Sequence, residues 1–116
     1  MKLTNFLLIS FITFNLSCDE IVDDDGATSC IREKIAQFKR EKVSNPPRYV
    51  YSYQYKGKTV YYITSDCCNQ YNILYDVNCN VICSPDGGIS GKGDGKCSDF
   101  FDTATNPILI WKDPRN

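Results

Sequence analysis

The 116-residue sequence predicts a disulfide-stapled α+β domain, with one N-terminal helix packed on an antiparallel sheet of four or five strands. Three observations predict this fold: an amphipathic segment, stretches of alternating side-chain character after it, and seven cysteines. The 42% hydrophobic content can build one core. A chain this short buries a smaller share of its surface than a larger domain, so cross-links are expected to stabilise it.

The helix is expected to begin at Thr28 or Ser29, because either residue can serve as an N-cap. The segment CIREKIAQFKREK then carries apolar residues at helical spacing with charged residues between them: Ile31, Ile35 and Phe38. The sequence Asn45-Pro46-Pro47 ends this pattern, since proline lacks an amide donor and disfavours helical geometry in the residue before it.

The strands follow at once. Four tyrosines alternate with other residues along the first strand, and Lys56-Gly57-Lys58 turns the chain into a second strand over residues 59–64. Residues 71–83 read as a second hairpin with Cys79 at or near its turn. Residues 84–95 contain five glycines and are predicted to be a loop. The run Pro107-Ile-Leu-Ile-Trp111 predicts a last short strand that carries the single tryptophan.

The first 17 residues predict a secretory signal peptide, because one lysine precedes an apolar run that is too short to span a bilayer. The sequence Asn15-Leu16-Ser17-Cys18 resembles a bacterial lipobox, with its leucine one place later than usual. The resemblance implies cleavage before Cys18 and acylation of that residue, for example with palmitate. We therefore expect a membrane anchor at Cys18.

The segment 18–29 is predicted to be an acidic tether between the anchor and a single domain over 30–116. Five carboxylates occur within seven residues, and a run of like charges stays extended. An acidic stretch directly after a lipidated cysteine resembles the surface-export signal of Bacteroidota lipoproteins. It implies a cell-envelope location at the outer membrane, exposed on the cell surface.

The cysteine count supports this location. Seven thiols leave one unpaired in an oxidising compartment, and lipidation of Cys18 accounts for it. The other six are expected to form three disulfides, whereas the paired knuckles and histidines of a zinc site are absent from the sequence: Cys30, Cys67, Cys68, Cys79, Cys83 and Cys97. We expect neither adjacent Cys67 and Cys68 nor Cys79 and Cys83 on an extended strand to pair, which leaves about ten of the 15 connectivities.

The region from YSYQYKGKTVYYITSDCCNQYNILYDVNCNVICSPDGGISGKGDGKCSDF to IWKDPR resembles an uncharacterised family of small Bacteroidota lipoprotein domains, a domain of unknown function. The similarity covers about residues 30–115. It includes the CC pair, the LYD turn, the PDGG and GKGDGKC loop, and the tryptophan. It implies an envelope location and a shared fold, and it assigns no catalytic or binding residue.

Two features are candidate binding sites. The tyrosine strand, with Tyr51 and Tyr53 at its centre, could form a platform for sugar rings or a protein, although packing in the core, together with Tyr61 of the returning strand, is the preferred interpretation. The glycine loop 84–97 carries Asp86 and Asp94 and could bind calcium, but it matches no calcium-loop spacing and contains two lysines. A contact loop pinned by a disulfide at Cys97 is the favoured interpretation.

Composition narrows the function classes. A net charge of −1 gives no basic surface for nucleic acid. The sequence has no histidine for nucleophilic catalysis. A carboxylate pair among Asp86, Asp94, Asp99 and Asp102 could serve glycoside hydrolysis, but aspartates near turns and loops are ordinary. We expect no catalytic residue, no metal and no cofactor. The expected function is a non-catalytic module that binds an envelope or extracellular protein or a glycan, with an inhibitor-like or calcium-binding module as the alternatives.

Overall fold

The computed structural model describes residues 25–115. The expected signal peptide, the expected lipidation site at Cys18 and most of the expected acidic tether lie outside the described residues. Within the described part, no helix is both long and apolar enough to cross a membrane.

The described chain forms the predicted α+β fold. The elements in order are α1 (Ser29–Arg40), β1 (Tyr49–Tyr55), β2 (Lys58–Ile63), β3 (Tyr71–Tyr75), β4 (Val81–Gly87), α2 (Phe100–Thr103) and β5 (Thr105–Lys112). The strands make one sheet in the order β4-β3-β2-β1-β5, and each neighbouring pair is antiparallel. This confirms one helix on an antiparallel sheet, with five strands.

The turn between β1 and β2 sets the register of the sheet. Tyr55 pairs with Lys58, so the turn residues are Lys56 and Gly57, both with positive φ (50° and 75°). Two positive φ values are the mark of a type I′ turn, whose twist matches that of the flanking strands. The same register places Tyr62 opposite Tyr51.

Helix α1 covers one face of the sheet. The buried residues on this side are Ala27, Ile31, Ile35, Val50, Tyr61 and Ile63, with Phe38 and Trp111 packed against them. Ala27 and Thr28 are fully buried, and the Tyr61 hydroxyl donates to the carbonyl oxygen of Gly26 over 2.7 Å. The folded part therefore begins a few residues before Cys30, and the end of the segment 18–29 belongs to it.

The opposite face is covered by the chain between β4 and β5. Its buried residues are Tyr55, Val60, Tyr62, Leu74, Cys83, Cys97 and Phe100. Phe100 is fully buried and belongs to α2, a short helix that the sequence patterns do not predict. The second core explains how a five-stranded sheet with a single long helix buries both faces.

Strand β4 continues through Gly87, so the prediction of a loop beginning at Ser84 is wrong for residues 84–87. Gly87 pairs with Tyr71, and Asp86 pairs with Asn72. At Gly87, φ is +81°, and a Cβ atom would lie 2.5 Å from the carbonyl oxygen of Gln70. Glycine is needed here because another strand's backbone approaches closely. A glycine-rich sequence therefore does not by itself indicate a loop, since glycine also occurs within strands at such contacts.

Three disulfides join the six cysteines of the domain. They are Cys30–Cys79, Cys67–Cys68 and Cys83–Cys97. The expectation that Cys67 and Cys68 do not pair is wrong. Cys30 and Cys79 lie on the helix side of the sheet, and Cys83 and Cys97 are buried in the core of the other face. Cys67 and Cys68 lie together in an exposed turn, away from these two pairs, and are therefore left to pair with each other.

Candidate functional site

The tyrosine row consists of Tyr49, Tyr51, Tyr53 and Tyr55 and runs along β1, the strand beside the edge strand β5. Strand alternation points all four side chains to one face, which is the face opposite α1. Tyr49 stacks with Tyr51 at 6.1 Å between ring centroids, and Tyr51 lies 6.2 Å from Tyr53. Grouping Tyr61 with this row is wrong, because Tyr61 pairs with Ser52 and faces the helix, while Tyr62 shares the face of the row.

One end of the row is closed. The Tyr55 hydroxyl donates to Asp99 over 2.7 Å, and Phe100 packs edge-on against Tyr55 and Tyr53 with centroids 5.2 and 5.0 Å away. Tyr55 is 5% exposed. Burial, and then the hydrogen bond to Asp99, raise the pKa of Tyr55. This end of the row has the structural role that the sequence interpretation preferred.

The other end of the row is open. Tyr49, Tyr51 and Tyr53 are half-buried, and no side chain in residues 25–115 makes a hydrogen bond to their hydroxyl groups. Leu109 pairs with Tyr51 from the edge strand β5 and is 49% exposed. Burial raises the pKa of Tyr53, and the neighbouring Tyr51 and Asp86 add to this effect. The open end thus offers aromatic surface with free polar groups at its rim.

The two aspartates predicted as contact residues have separate roles. Asp86 accepts hydrogen bonds from the Tyr62 hydroxyl (2.9 and 3.0 Å) and from the Asn72 amide (2.9 Å). Asp94 is exposed and accepts from the amide of Lys96 over 3.0 Å. Asp86 is therefore part of an internal network. Within the described residues, no three acidic, cysteine or histidine side chains are grouped as a metal ion would require.

The glycine loop folds back on β4. The amide of Asp94 donates to the carbonyl oxygen of Ser84, and the amide of Gly93 donates to that of Gly87, each over 3.0 Å. The disulfide Cys83–Cys97 closes the loop, as expected for a return pinned at Cys97. At its tip Ile89 is 94% exposed.

Two clefts lie beside the turn that follows β2, and Thr64, Ser65 and Gln70 line both. The first, of about 320 Å³, lies next to Tyr49 and is lined by Pro46, Pro47 and the Cys67–Cys68 pair. We call it the disulfide cleft. Its eleven lining residues carry no charge.

The second cleft, of about 300 Å³, is lined by charged groups, and we call it the charged cleft. Lys34 sits 4.5 Å above the Tyr75 ring, and the Arg48 guanidinium lies 4.2 Å from the centre of Phe38. Asp66 is 3.9 Å from Arg48. This cleft favours a ligand with charge, in contrast to its neighbour.

Sequence reasoning missed several residues of this region. Asn72 links the turn after β2 to the internal network, because its oxygen accepts from the Ser65 amide over 2.8 Å while its nitrogen donates to Asp86. The sequence could have marked Asn72 because it is a polar residue within a strand and directly precedes the apolar residues Ile73 and Leu74. Asp99 and Phe100 follow a glycine loop, and no local pattern marks their contact with Tyr55.

The geometry defines a small disulfide-linked α+β domain with an open aromatic surface and two adjoining clefts. Residues 36–113 match the family described as a domain of unknown function (DUF6970), and the chain belongs to this family. Comparison with curated proteins and with solved structures gives no match.

Proposed function

We propose that this chain is a lipid-anchored, non-catalytic binding module of the cell envelope that contacts a glycan or protein ligand through the open end of the tyrosine row. The observation that carries the proposal is the contrast among the tyrosines. Three half-buried rings have hydroxyls without a partner in the described chain, whereas Tyr55 and Tyr62 donate to carboxylates. Tyrosine supplies large, rigid contact area with a polar handle at low entropic cost.

The anchor and the location rest on the sequence. The apolar run, Cys18 and the acidic segment after it favour export and acylation. The non-catalytic assignment rests on the absence of histidine from the sequence and on the pairing of all six domain thiols.

The anchor is tested by labelling cells with a palmitate analogue and fractionating their membranes. The wild-type chain should carry the label and enter the outer-membrane fraction, and Cys18→Ala should do neither. Label on the Cys18→Ala chain would contradict acylation at this residue.

The binding surface is tested with Tyr51→Thr, which keeps a strand-forming residue but removes the central ring of the open end. Binding of the purified full chain to a panel of immobilised neutral oligosaccharides, acidic oligosaccharides and peptides should weaken at least tenfold. Tyr71→Thr is the matched control, because Tyr71 is 49% exposed and, with Tyr75, lines the charged cleft. Equal binding by both variants would contradict the proposed surface.

One observation favours the inhibitor-like alternative. Ile89 projects from a loop that backbone hydrogen bonds and the Cys83–Cys97 disulfide hold in place. If the loop occupies the cleft of another protein, Ile89→Ser should abolish binding to that protein and Tyr51→Thr should leave it unchanged.

A further inference from the structure

The Cys67–Cys68 disulfide needs an explanation other than stapling the fold. A disulfide stabilises chiefly by restricting the unfolded chain, and its effect grows with the number of residues between its cysteines. Cys67 and Cys68 are already joined by a peptide bond, so the constraint added to the unfolded chain is small. Both residues are exposed and line the disulfide cleft, which gives the pair a local role.

Apolar groups line part of the disulfide cleft. The rings of Pro46, Pro47 and Tyr49 face it together with the disulfide. Pyrrolidine and aromatic rings pack against the C–H faces of a saturated ring, and the volume of about 320 Å³ lies at the small end of ligand pockets. The cleft therefore suits a single compact ring.

The polar side chains of the cleft are neutral amides and hydroxyls: Asn69, Gln70, Asn72, Thr64 and Ser65. Within residues 25–115, the side chains of Asn69 and Gln70 have no hydrogen-bond partner, although both line the cleft. A side-chain amide offers two donors and an acceptor, which complements a hydroxyl group acting in both directions. None of the lining residues is charged, and the Lys112 amine beside the cleft is already held over the Tyr49 ring, 5.3 Å from its centre. An ionic ligand would therefore lose its hydration for little gain from a counter-ion.

The neighbouring charged cleft sharpens this choice. Lys34 and Arg48 provide cations there, so an acidic ligand would be held better on that side of the turn. The disulfide cleft instead joins the tyrosine row, since Tyr49 lines the cleft and stacks on Tyr51 at 6.1 Å. A chain of sugar units could thus place its end in the cleft and continue along the row.

We propose that the disulfide cleft is the terminal subsite for a neutral saccharide, with Asn69 and Gln70 hydrogen-bonding its hydroxyls and the disulfide, prolines and Tyr49 packing on the ring. This rests on the proposed function and names the ligand class of its surface.

The test measures binding of the purified full chain to neutral oligosaccharides built from hexoses and, separately, to uronic-acid oligosaccharides. The cleft variants are Asn69→Gly, at a residue that lines the disulfide cleft and not the charged cleft, and Cys67→Ser with Cys68→Ser. Glycine is chosen because φ of Asn69 is +58°. Gln37→Ala is the matched control, because Gln37 lines the charged cleft and not the disulfide cleft.

We expect neutral oligosaccharides to bind the wild-type chain. Each cleft variant should weaken that binding at least tenfold while its unfolding midpoint stays nearly unchanged. Gln37→Ala should bind as the wild type does. Binding of uronic-acid oligosaccharides alone, or neutral binding that the cleft variants leave intact, would overturn this inference. If Tyr51→Thr still abolished binding in those cases, the proposed binding surface would stand. Absence of binding to every saccharide and peptide would overturn both.

Discussion

At the scale of single residues, the partner of each tyrosine hydroxyl separates structure from surface. Tyr62 is 8% exposed and donates to both oxygens of Asp86, whereas Tyr49 is half-buried and has no hydroxyl partner within the described chain. Both tyrosines belong to the first hairpin, and the sequence pattern does not distinguish their environments. Their difference arises from the strands that pack beside them.

This difference predicts opposite outcomes for one chemical change. Tyr62→Phe should lower the free energy of unfolding by about 1–3 kcal/mol, because it removes a hydrogen bond to a charged group and leaves Asp86 less satisfied. Tyr49→Phe should change it by less than about 0.5 kcal/mol. Urea unfolding followed by circular dichroism measures both. Equal losses in the two variants would show that the hydroxyls do not differ in this way.

At the scale of elements, the end of α1 is held by a residue distant in sequence. Arg115 donates to the carbonyl oxygens of Phe38, Lys39 and Glu41 over 3.0, 3.1 and 3.0 Å. Its guanidinium is fixed by Asp113, at 2.8 Å, and the Asp113 side chain is 2% exposed. A cation at a helix C-terminus satisfies free carbonyls and complements the helix dipole.

Arg115→Ala should therefore destabilise the domain and loosen the last turn of α1. It leaves the buried Asp113 carboxylate without its ion-pair partner and removes one hydrogen bond from each of three carbonyl groups, although the Phe38 carbonyl keeps the Glu41 amide as a donor. We expect a lower urea midpoint and faster hydrogen exchange in the amides of this turn. Arg40→Ala is the control: it removes a positive charge from the same turn, where Arg40 is exposed. A midpoint equally low in the control would assign the effect to charge alone.

The elements that the sequence predicts well are those with local causes. The spacing of Ile31 and Ile35 predicts α1, and Gly57 predicts the first hairpin, since each signal lies within a few residues of the structure it forms. The last strand is also confirmed, extending to Thr105–Lys112.

What escapes prediction depends on contacts between distant residues. Asp86 was a candidate contact residue because it precedes glycines, but the pairing of β4 with β3 turns it toward Asn72 and Tyr62. The disulfide cleft likewise requires the turn after β2 to lie beside Pro46 and Tyr49. No local sequence pattern reports contacts between distant strands. The sequence therefore identifies the tyrosines as candidate binding residues, but it does not show which of them lie at the open end of the row.

At the scale of the whole molecule, the three disulfides are expected to contribute unequally. The separations between paired cysteines are 49, 14 and 1 residues. Loop-closure entropy gives about 4 kcal/mol for Cys30–Cys79 and about 3 kcal/mol for Cys83–Cys97, and little for Cys67–Cys68.

Replacing each pair by serine should reproduce that order in urea unfolding. Reduction of the wild-type domain should add the mass of six hydrogens, one for each thiol of the three pairs. Two or more thiols that can be alkylated in the native oxidised protein would contradict the disulfide assignment. A Cys67→Ser, Cys68→Ser variant as unstable as the other two would contradict the local role of that pair.

The tyrosines also give the whole domain a pH dependence. Burial is the first cause that raises the pKa of five tyrosines above the ordinary value of 10.0: Tyr53, Tyr55, Tyr61, Tyr62 and Tyr75. Hydrogen bonding instead lowers the pKa of three carboxyl groups. Tyr55 acts in this way at Asp99 and Arg115 at Asp113, while at Asp76 burial, which raises the pKa, is outweighed by the hydrogen bonds from Asn80. The lowered carboxyl pKa values reduce stability as the pH falls into the acidic range, and the raised tyrosine pKa values reduce it as the pH rises above 10. The domain is therefore expected to be most stable between these two ranges.

On the alkaline side, the tyrosines of the unfolded chain lose their protons near pH 10, while the buried tyrosines of the folded domain keep theirs. Because the folded state then binds more protons than the unfolded state, its stability must fall as the pH rises. Each such tyrosine contributes a slope of up to about 1.4 kcal/mol per pH unit. We expect urea midpoints to be level at neutral pH and to fall above pH 10, with the tyrosinate absorbance of the buried rings appearing together with unfolding. Tyr62→Phe, which removes one of these protons, should make the alkaline fall shallower; a wild-type midpoint that stayed constant or rose above pH 10 would contradict burial of the tyrosine rings.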